Sequence, residues 1–358
     1  MAVYTTIDNP ELYFQIKLYT GNGSSRSITF DGEEDMQPNL LWGKQRAVNQ
    51  DHVLVDSIRG TDEQIYSSDS SAAQDNASGV TSFDSNGFSL GSSGYFNNNT
   101  NTFVAWCWKA SGSTASNTNG TNITSTVDAN TTSGFSIVSW TGDNSGSSTV
   151  GHGLGKTAEF VAIKNRADSA NWQVKHKKNS ANASQSLDTA DAESSRVGST
   201  NGGIADLSGT TTFGFIAGSA GVPAANGASD AMIAYVWNSV QGFSKFGSYE
   251  GNNNANGSFI YTGFSVAWVM VKNIDTGSTK WVIQDSKRSS SSGGNPADKR
   301  LKPNDNTSEE SDSAIDLLSN GFKIRSTGSW TSDADTFVYA AFAEAPFVNS
   351  NGVPCNAR

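Results

Sequence analysis

Cysteine, histidine, proline and charge are scarce in this 358-residue sequence, and each scarcity excludes something. The two cysteines, Cys107 and Cys355, cannot form a disulfide framework: one sits inside an apolar run and the other three residues from the end. Both are expected as free thiols. The three histidines, His52, His152 and His176, include no pair at metal-ligand spacing, so a zinc site is not expected. No run approaches the roughly 18 apolar residues of a membrane-spanning helix. Met1-Ala-Val-Tyr-Thr-Thr lacks the basic and apolar parts of a signal peptide, so conventional secretion is not expected either. Only 16% of residues are charged, and 24 Lys and Arg face 34 Asp and Glu. At a formal charge of −10, a phosphate backbone would be repelled, which excludes nucleic acid as a partner. Among the uncharged residues Ser, Asn, Thr and Gly dominate, giving a surface that is polar without being ionic.

What the chain does have is one phrase written three times. Thr102-Phe-Val-Ala-Trp-Cys-Trp108 returns as Ala231-Met-Ile-Ala-Tyr-Val-Trp237 and as Thr336-Phe-Val-Tyr-Ala-Ala-Phe342. Each copy is preceded by the same landmarks in the same order. An aromatic stands two residues before a glycine (Tyr19 and Gly21; Trp140 and Gly142; Tyr249 and Gly251), a lysine ends an apolar run (Lys44, Lys164, Lys272), and a Gly-Phe turn follows (Asn86-Gly87-Phe88; Phe213-Gly214-Phe215; Asn320-Gly321-Phe322). From glycine to lysine is 23, 22 and 21 residues, which is the signature of tandem repeats. The runs between landmarks are short, β-branched or aromatic, and broken by Gly, Asn and Ser, as in sandwiches.

The expected fold is therefore all-β, with three tandem jelly-roll-like β-sandwich modules at 16–110, 134–240 and 241–348, and a C-terminal tail at 349–358. The Ser/Thr/Asn/Gly-rich stretch 111–133 reads as a flexible or extended linker on which the first module hinges, with an extra edge strand at 123–127. Modules two and three, joined without a gap, are expected as a rigid pair. Residues 1–15 form an N-terminal anchoring segment: Asn9-Pro10-Glu11 reads as a helix start carrying one or two turns through Leu12, Tyr13 and Phe14. That segment is either a domain-flanking turn or an arm that docks on a neighbour. Ser308 to Leu318 reads as a short helix.

No catalytic, cofactor or metal residue emerges. Gly87-Phe-Ser-Leu-Gly91 matches a nucleophile elbow, but its third copy, Gly321-Phe-Lys-Ile-Arg325, has no nucleophile. Gly151-His-Gly-Leu-Gly-Lys-Thr157 ends like a phosphate loop yet precedes a strand, and is expected as a hairpin turn. Lys164-Asn165-Arg166 and Lys44-Gln45-Arg46, loosely echoed by Lys272-Asn273-Ile274, offer basic pairs that grip a carboxylate or anionic sugar, stand as solvated strand ends, or pair with Asp56 or Asp285 across the sheet. Asp56-Ser57-Ile58-Arg59 and Asp285-Ser286-Lys287-Arg288 are themselves a repeat, with His176 in the second copy. Trp42, Trp106, Trp108, Trp172, Trp237 and Trp281 belong to strands and to the core; any that faced outward would be a platform for sugar rings.

With these phrases in view, together with Gly134-Phe-Ser-Ile-Val-Ser-Trp-Thr-Gly142, Ile163-Lys-Asn-Arg166, Lys245-Phe-Gly-Ser-Tyr249 and Ala341-Phe-Ala-Glu-Ala-Pro-Phe347, the chain resembles a family of repeat-containing structural proteins of marine bacteriophages. The resemblance implies a virion component carrying lectin-like, concanavalin-type sandwiches and no enzyme. It implies a tail-associated fibre or adhesin fixed to other virion proteins through its N-terminal segment, engaging a host-surface glycan, and assembled as a homo-oligomer, by analogy a trimer. The alternatives are a capsid-decoration or head-fibre protein, a polysaccharide-degrading spike and a free lectin.

Overall fold

The computed structural model describes residues 4–289 and 295–355. It is all-β and of the sandwich class, with short antiparallel strands and few helical turns. Three large sheets share one strand order. In the first, Phe14–Thr20 pairs with Thr102–Trp108, which pairs with Leu40–Gln45, then Val53–Asp56. The second repeats this with Phe135–Thr141, Ala231–Trp237, Phe160–Asn165 and Gln173–His176, and the third with Ser244–Glu250, Thr336–Pro346, Phe264–Asn273 and Val282–Asp285.

The register is the same in all three. Lys44 stands opposite Val104, Lys164 opposite Ile233, and Lys272 opposite Val338. Tyr19 stands opposite Phe103 and Tyr249 opposite Phe337, each pair stacked with centroids 5.1 and 5.0 Å apart. Alternation along each strand sends side chains to two faces, so each large sheet buries two apolar surfaces. One face packs on a small sheet of its own: Leu41, Val55 and Cys107, for example, meet Ile28, Phe88 and Leu90. The other two sheets do the same in separate cores.

The opposite faces of the three sheets meet each other. One core holds Trp42, Trp106 and Trp108 of the first sheet, Phe135, Phe160 and Trp237 of the second, and Phe246, Trp268 and Phe342 of the third. The aromatics that end the repeated phrase converge there, with Trp108 5.5 Å from Phe342 and 6.1 Å from Trp237, both edge-on. Each sheet thus touches the other two, and the first is not hinged away from a rigid pair.

The stretch expected as a linker is folded. Ala115–Asn117 and Ser125–Asn130 extend the second sheet beside Phe135–Thr141, and Val127 enters its core. One buried carboxylate ties this polar segment down: Asp128 accepts from the Ser111 and Gly112 amides, Asn39 and Ser57. Composition predicted mobility because the stabilising group is a single residue whose partners lie up to 89 positions away.

Two other expectations change. Glu310–Leu318 is a strand and not a helix, since Ile315 and Leu317 face a core opposite Ile324 and Phe322 while Glu310 pairs across to Arg300. Period two overrode helix propensity there. The N-terminal helix shrinks to one 3-10 turn, Pro10–Leu12, capped by Asn9, before Phe14 opens a strand. The segment before it docks on its own chain: Ile7 lies in the central core, Thr5 Oγ1 donates to Gln241 O, Tyr4 Oη donates to Gly263 O, and Asp8 accepts from the Ser350 amide. Between Tyr4 and Gln15 the segment thus packs on its own chain, with Thr6 and Asp8 left exposed.

The repeated glycines have a steric cause. A Cβ at Gly21, Gly142 or Gly251 would lie 2.2, 2.1 or 1.8 Å from the carbonyl oxygen of Asn98, Gly227 or Asp333. We expect Gly251→Ala to destabilise by about 2–3 kcal/mol through forced backbone movement. A urea midpoint equal to wild type contradicts this.

Candidate functional site

At corresponding places each large sheet carries an open polar groove, of about 520, 500 and 580 Å³ in the first, second and third. One wall of each is a pair of short strands beyond the fourth strand. Gln64 stands opposite Gln74, Ser184 opposite Ser194, and Arg300 opposite Glu310. Two residues on, the same diagonal contact recurs: Asn76 donates to Gln64 Oε1 at 2.7 Å, Arg196 to Ser184 Oγ at 2.5 Å, and Arg300 pairs with Asp312. The other wall is a helical turn in which the carbonyls of Ser93, Val222 and Gly328 accept two amides each.

The aromatic of each aromatic-x-Gly landmark fixes that turn from beneath. Tyr19 Oη donates to Phe96 O at 2.8 Å, Trp140 Nε1 to Asn226 Oδ1 at 3.0 Å, and Tyr249 Oη to Thr331 O at 2.8 Å. The grooves were not legible in the sequence, because loops of unequal length bring their walls together.

The residues singled out from the sequence are mostly consumed by the frame. Lys44, Lys164 and Lys272 are buried, and each amine donates to backbone or threonine oxygens: Gln45 O and Val48 O; Ser70 O and Ala170 O; Asn273 O and Thr279 Oγ1. Burial pushes each down to about 8. Their neighbours join sheet to sheet: Arg46 grips Glu309 at 2.7 Å and Arg166 grips Glu63 at 2.5 Å.

Asp56 and Asp285 complete these joints. Each pairs with the arginine three residues on, Arg59 at 2.5 Å and Arg288 at 2.6 Å, with all four side chains fully buried. Each also accepts from an aromatic of another sheet, Tyr235 Oη at 2.7 Å and Trp106 Nε1 at 2.9 Å. The chain Asp–Arg–Glu–Arg thus spans the first-to-second and third-to-first joints. At the second-to-third joint His176 replaces the aspartate, Asn179 the inner arginine, Ile274 the outer arginine and Ala340 the aromatic donor, while Glu193 keeps the glutamate's place and accepts from Asn179 Nδ2 at 2.8 Å. There the imidazole Nε2 meets Tyr339 O at 3.2 Å.

Ser89, the residue of the elbow-like motif, lies on strand Gly87–Leu90 with its hydroxyl on Ser27 Oγ and Asp84 Oδ2. The glycine-rich 151–157 loop crosses between two sheets and is not a hairpin turn. Cys107 is buried and Cys355 exposed, both free. Eight of the nine tryptophans are buried; the exception is Trp330, which lines the third groove. Among the described residues no cluster of His, Cys, Asp or Glu is arranged to hold a metal ion.

The three histidines are buried and neutral. Burial pushes His152 down to about 4 and His176 to about 3, while burial with Lys44 and Arg288 nearby holds His52 well below the usual range. In the unfolded chain each protonates below about pH 6.5. The unfolded state therefore binds more protons between pH 6.5 and 4, and stability falls as pH drops through that window. Asp188, raised to about 6 by burial, opposes this with a single proton. We expect a lower urea midpoint at pH 4.5 than at pH 7; equal midpoints contradict the assignment.

In class, then, this is an all-β, sandwich-type chain with open polar clefts. It belongs to the family described as a domain of unknown function, DUF7483, which it matches over residues 9–346. That span runs from the cap of the 3-10 turn to the last residue of the third closing strand, so the family unit comprises all three large sheets. No curated protein and no solved structure matches the chain.

Proposed function

We propose that the chain is three tandem copies of one β-sandwich module closed into a ring, and that it serves as a structural component of a phage particle, displayed for attachment to host-surface glycan. The threefold sheet order and register support the repeat. The carrying observation for binding is the set of three polar grooves at one corresponding place, lined by amides and hydroxyls, with aromatic rings in the first and third, on a frame held by a common core. Such a lining suits sugars, whose hydroxyls need hydrogen-bond partners and whose ring faces need an apolar plate. The paired Asp56 and Asp285 lie in the joints and not in a groove, which weakens the reading of a polysaccharide-cutting spike.

The test is adsorption competition. Purified protein at micromolar concentration reduces adsorption of the phage that encodes it, and reconstruction of the particle places the ring on the tail. Undiminished adsorption, with the density on the capsid lattice, makes decoration the function.

A further inference from the structure

The three grooves share a position but not a lining, and the differences decide which can hold a sugar ring. Stacking requires an aromatic face covered by water alone, beside donors and acceptors for the hydroxyls. Two residues past the carbonyl that caps each turn stand Tyr95, Ala224 and Trp330. Ala224 has no ring. Trp330 has one, but the Arg300 guanidinium covers it at 4.4 Å from the centroid and the Lys302 amine sits at 5.5 Å. Glu310 and Asp312 hold Arg300 in that place. The third groove is thus filled by its own ion pairs.

Tyr95 is different. It is half-exposed, no cation among the described residues lies over it, and Tyr66 braces it at 5.7 Å with a 43° tilt. Tyr66 is in turn fixed by the Gln64 amide, which donates to its hydroxyl at 2.6 Å. Gln50, Gln74, Asn76 and Ser93 complete the groove, and its one charged lining residue is Asp75. The second groove, by contrast, carries Asp168, Asp191, Asp230 and Arg196 and no ring.

We propose that the first groove is the chain's single glycan site and that it takes an uncharged hexose chain, with a ring stacked on Tyr95 and its hydroxyls met by the Gln50 and Gln74 amides, while Gln64 and Asn76 hold the wall. Although the sequence is threefold repeated, binding is then one ligand per chain. This rests on the glycan-attachment reading, and the test separates the two. Full-length protein is titrated by calorimetry with the hexasaccharides of glucose, galactose and mannose.

The expected result is binding of at least one of them at one site per chain. Tyr95→Ala weakens it about tenfold or more, Tyr95→Phe leaves it within about twofold, and Trp330→Ala does not change it. Gln74→Ala, at an exposed position that bears no core load, weakens it several-fold and guards against misfolding of the tyrosine variant. Binding that survives Tyr95→Ala and is lost with Trp330→Ala, or a stoichiometry of three, overturns the single-site assignment while glycan binding stands. A wild-type chain that binds none of the three removes the glycan reading and the site with it.

Discussion

Arg288→Met unfolds the protein at markedly lower urea than wild type, with a loss of about 3–5 kcal/mol. The change removes the only cation within ion-pair distance of Asp285 among the described residues and leaves that carboxylate fully buried, facing Trp106 Nε1 alone across the joint. It also takes from Glu309 one of its two arginines. Replacing both ends, Asp285→Leu with Arg288→Met, recovers most of the loss, because the penalty is an unpaired buried charge and not the absence of the pair. The second-to-third joint, where His176 and Ile274 stand in these places, is the chain's own precedent for a joint without the ion pairs. A single mutant as stable as wild type contradicts the assignment of Asp285 to a sealed joint.

Trp108→Ala costs about 3–5 kcal/mol, and the loss is felt by all three sheets together. Trp108 is 2% exposed and packs on Phe14, Trp237, Trp268 and Phe342, so its removal opens a void where the sheets converge. Little can collapse into that space, since each wall is fixed by its own sandwich core. Tryptophan fluorescence and far-ultraviolet circular dichroism, followed through urea unfolding, shift by the same amount. Separate shifts for separate parts contradict a shared core.

The strand order common to the three large sheets has local landmarks in the sequence. A Gly beside a close carbonyl, an aromatic that pins a turn and a lysine at a strand end each occupy fixed offsets, so three copies align by eye. Pairing between sheets was not legible. Asp285 meets Trp106 across 179 positions, and Arg46 meets Glu309 across 263, distances at which sequence spacing carries no signal. The Asp-Ser-x-Arg phrase was visible as a repeat, with His176 in its second copy, but nothing in it told that the acids lie in joints between sheets.

The misread segments failed for a common reason. Stretch 111–133 and residues 310–318 are polar on most positions, and their order comes from one or two buried groups: Val127 and Asp128 in the first, Ile315 and Leu317 in the second. Composition averages over a window and loses such anchors. The candidate site was hidden differently. Tyr95, Gln64 and Asn76 have no distinctive spacing, and only the fold brings them to one groove.

Scanning calorimetry of the intact chain at pH 7 probes the packing of the three large sheets on one aromatic core. A single transition whose calorimetric and van't Hoff enthalpies agree is expected, since no sheet can leave without exposing the other two. Two or three resolved transitions, or a calorimetric enthalpy severalfold larger than the van't Hoff value, would show sandwiches that melt independently and would contradict it.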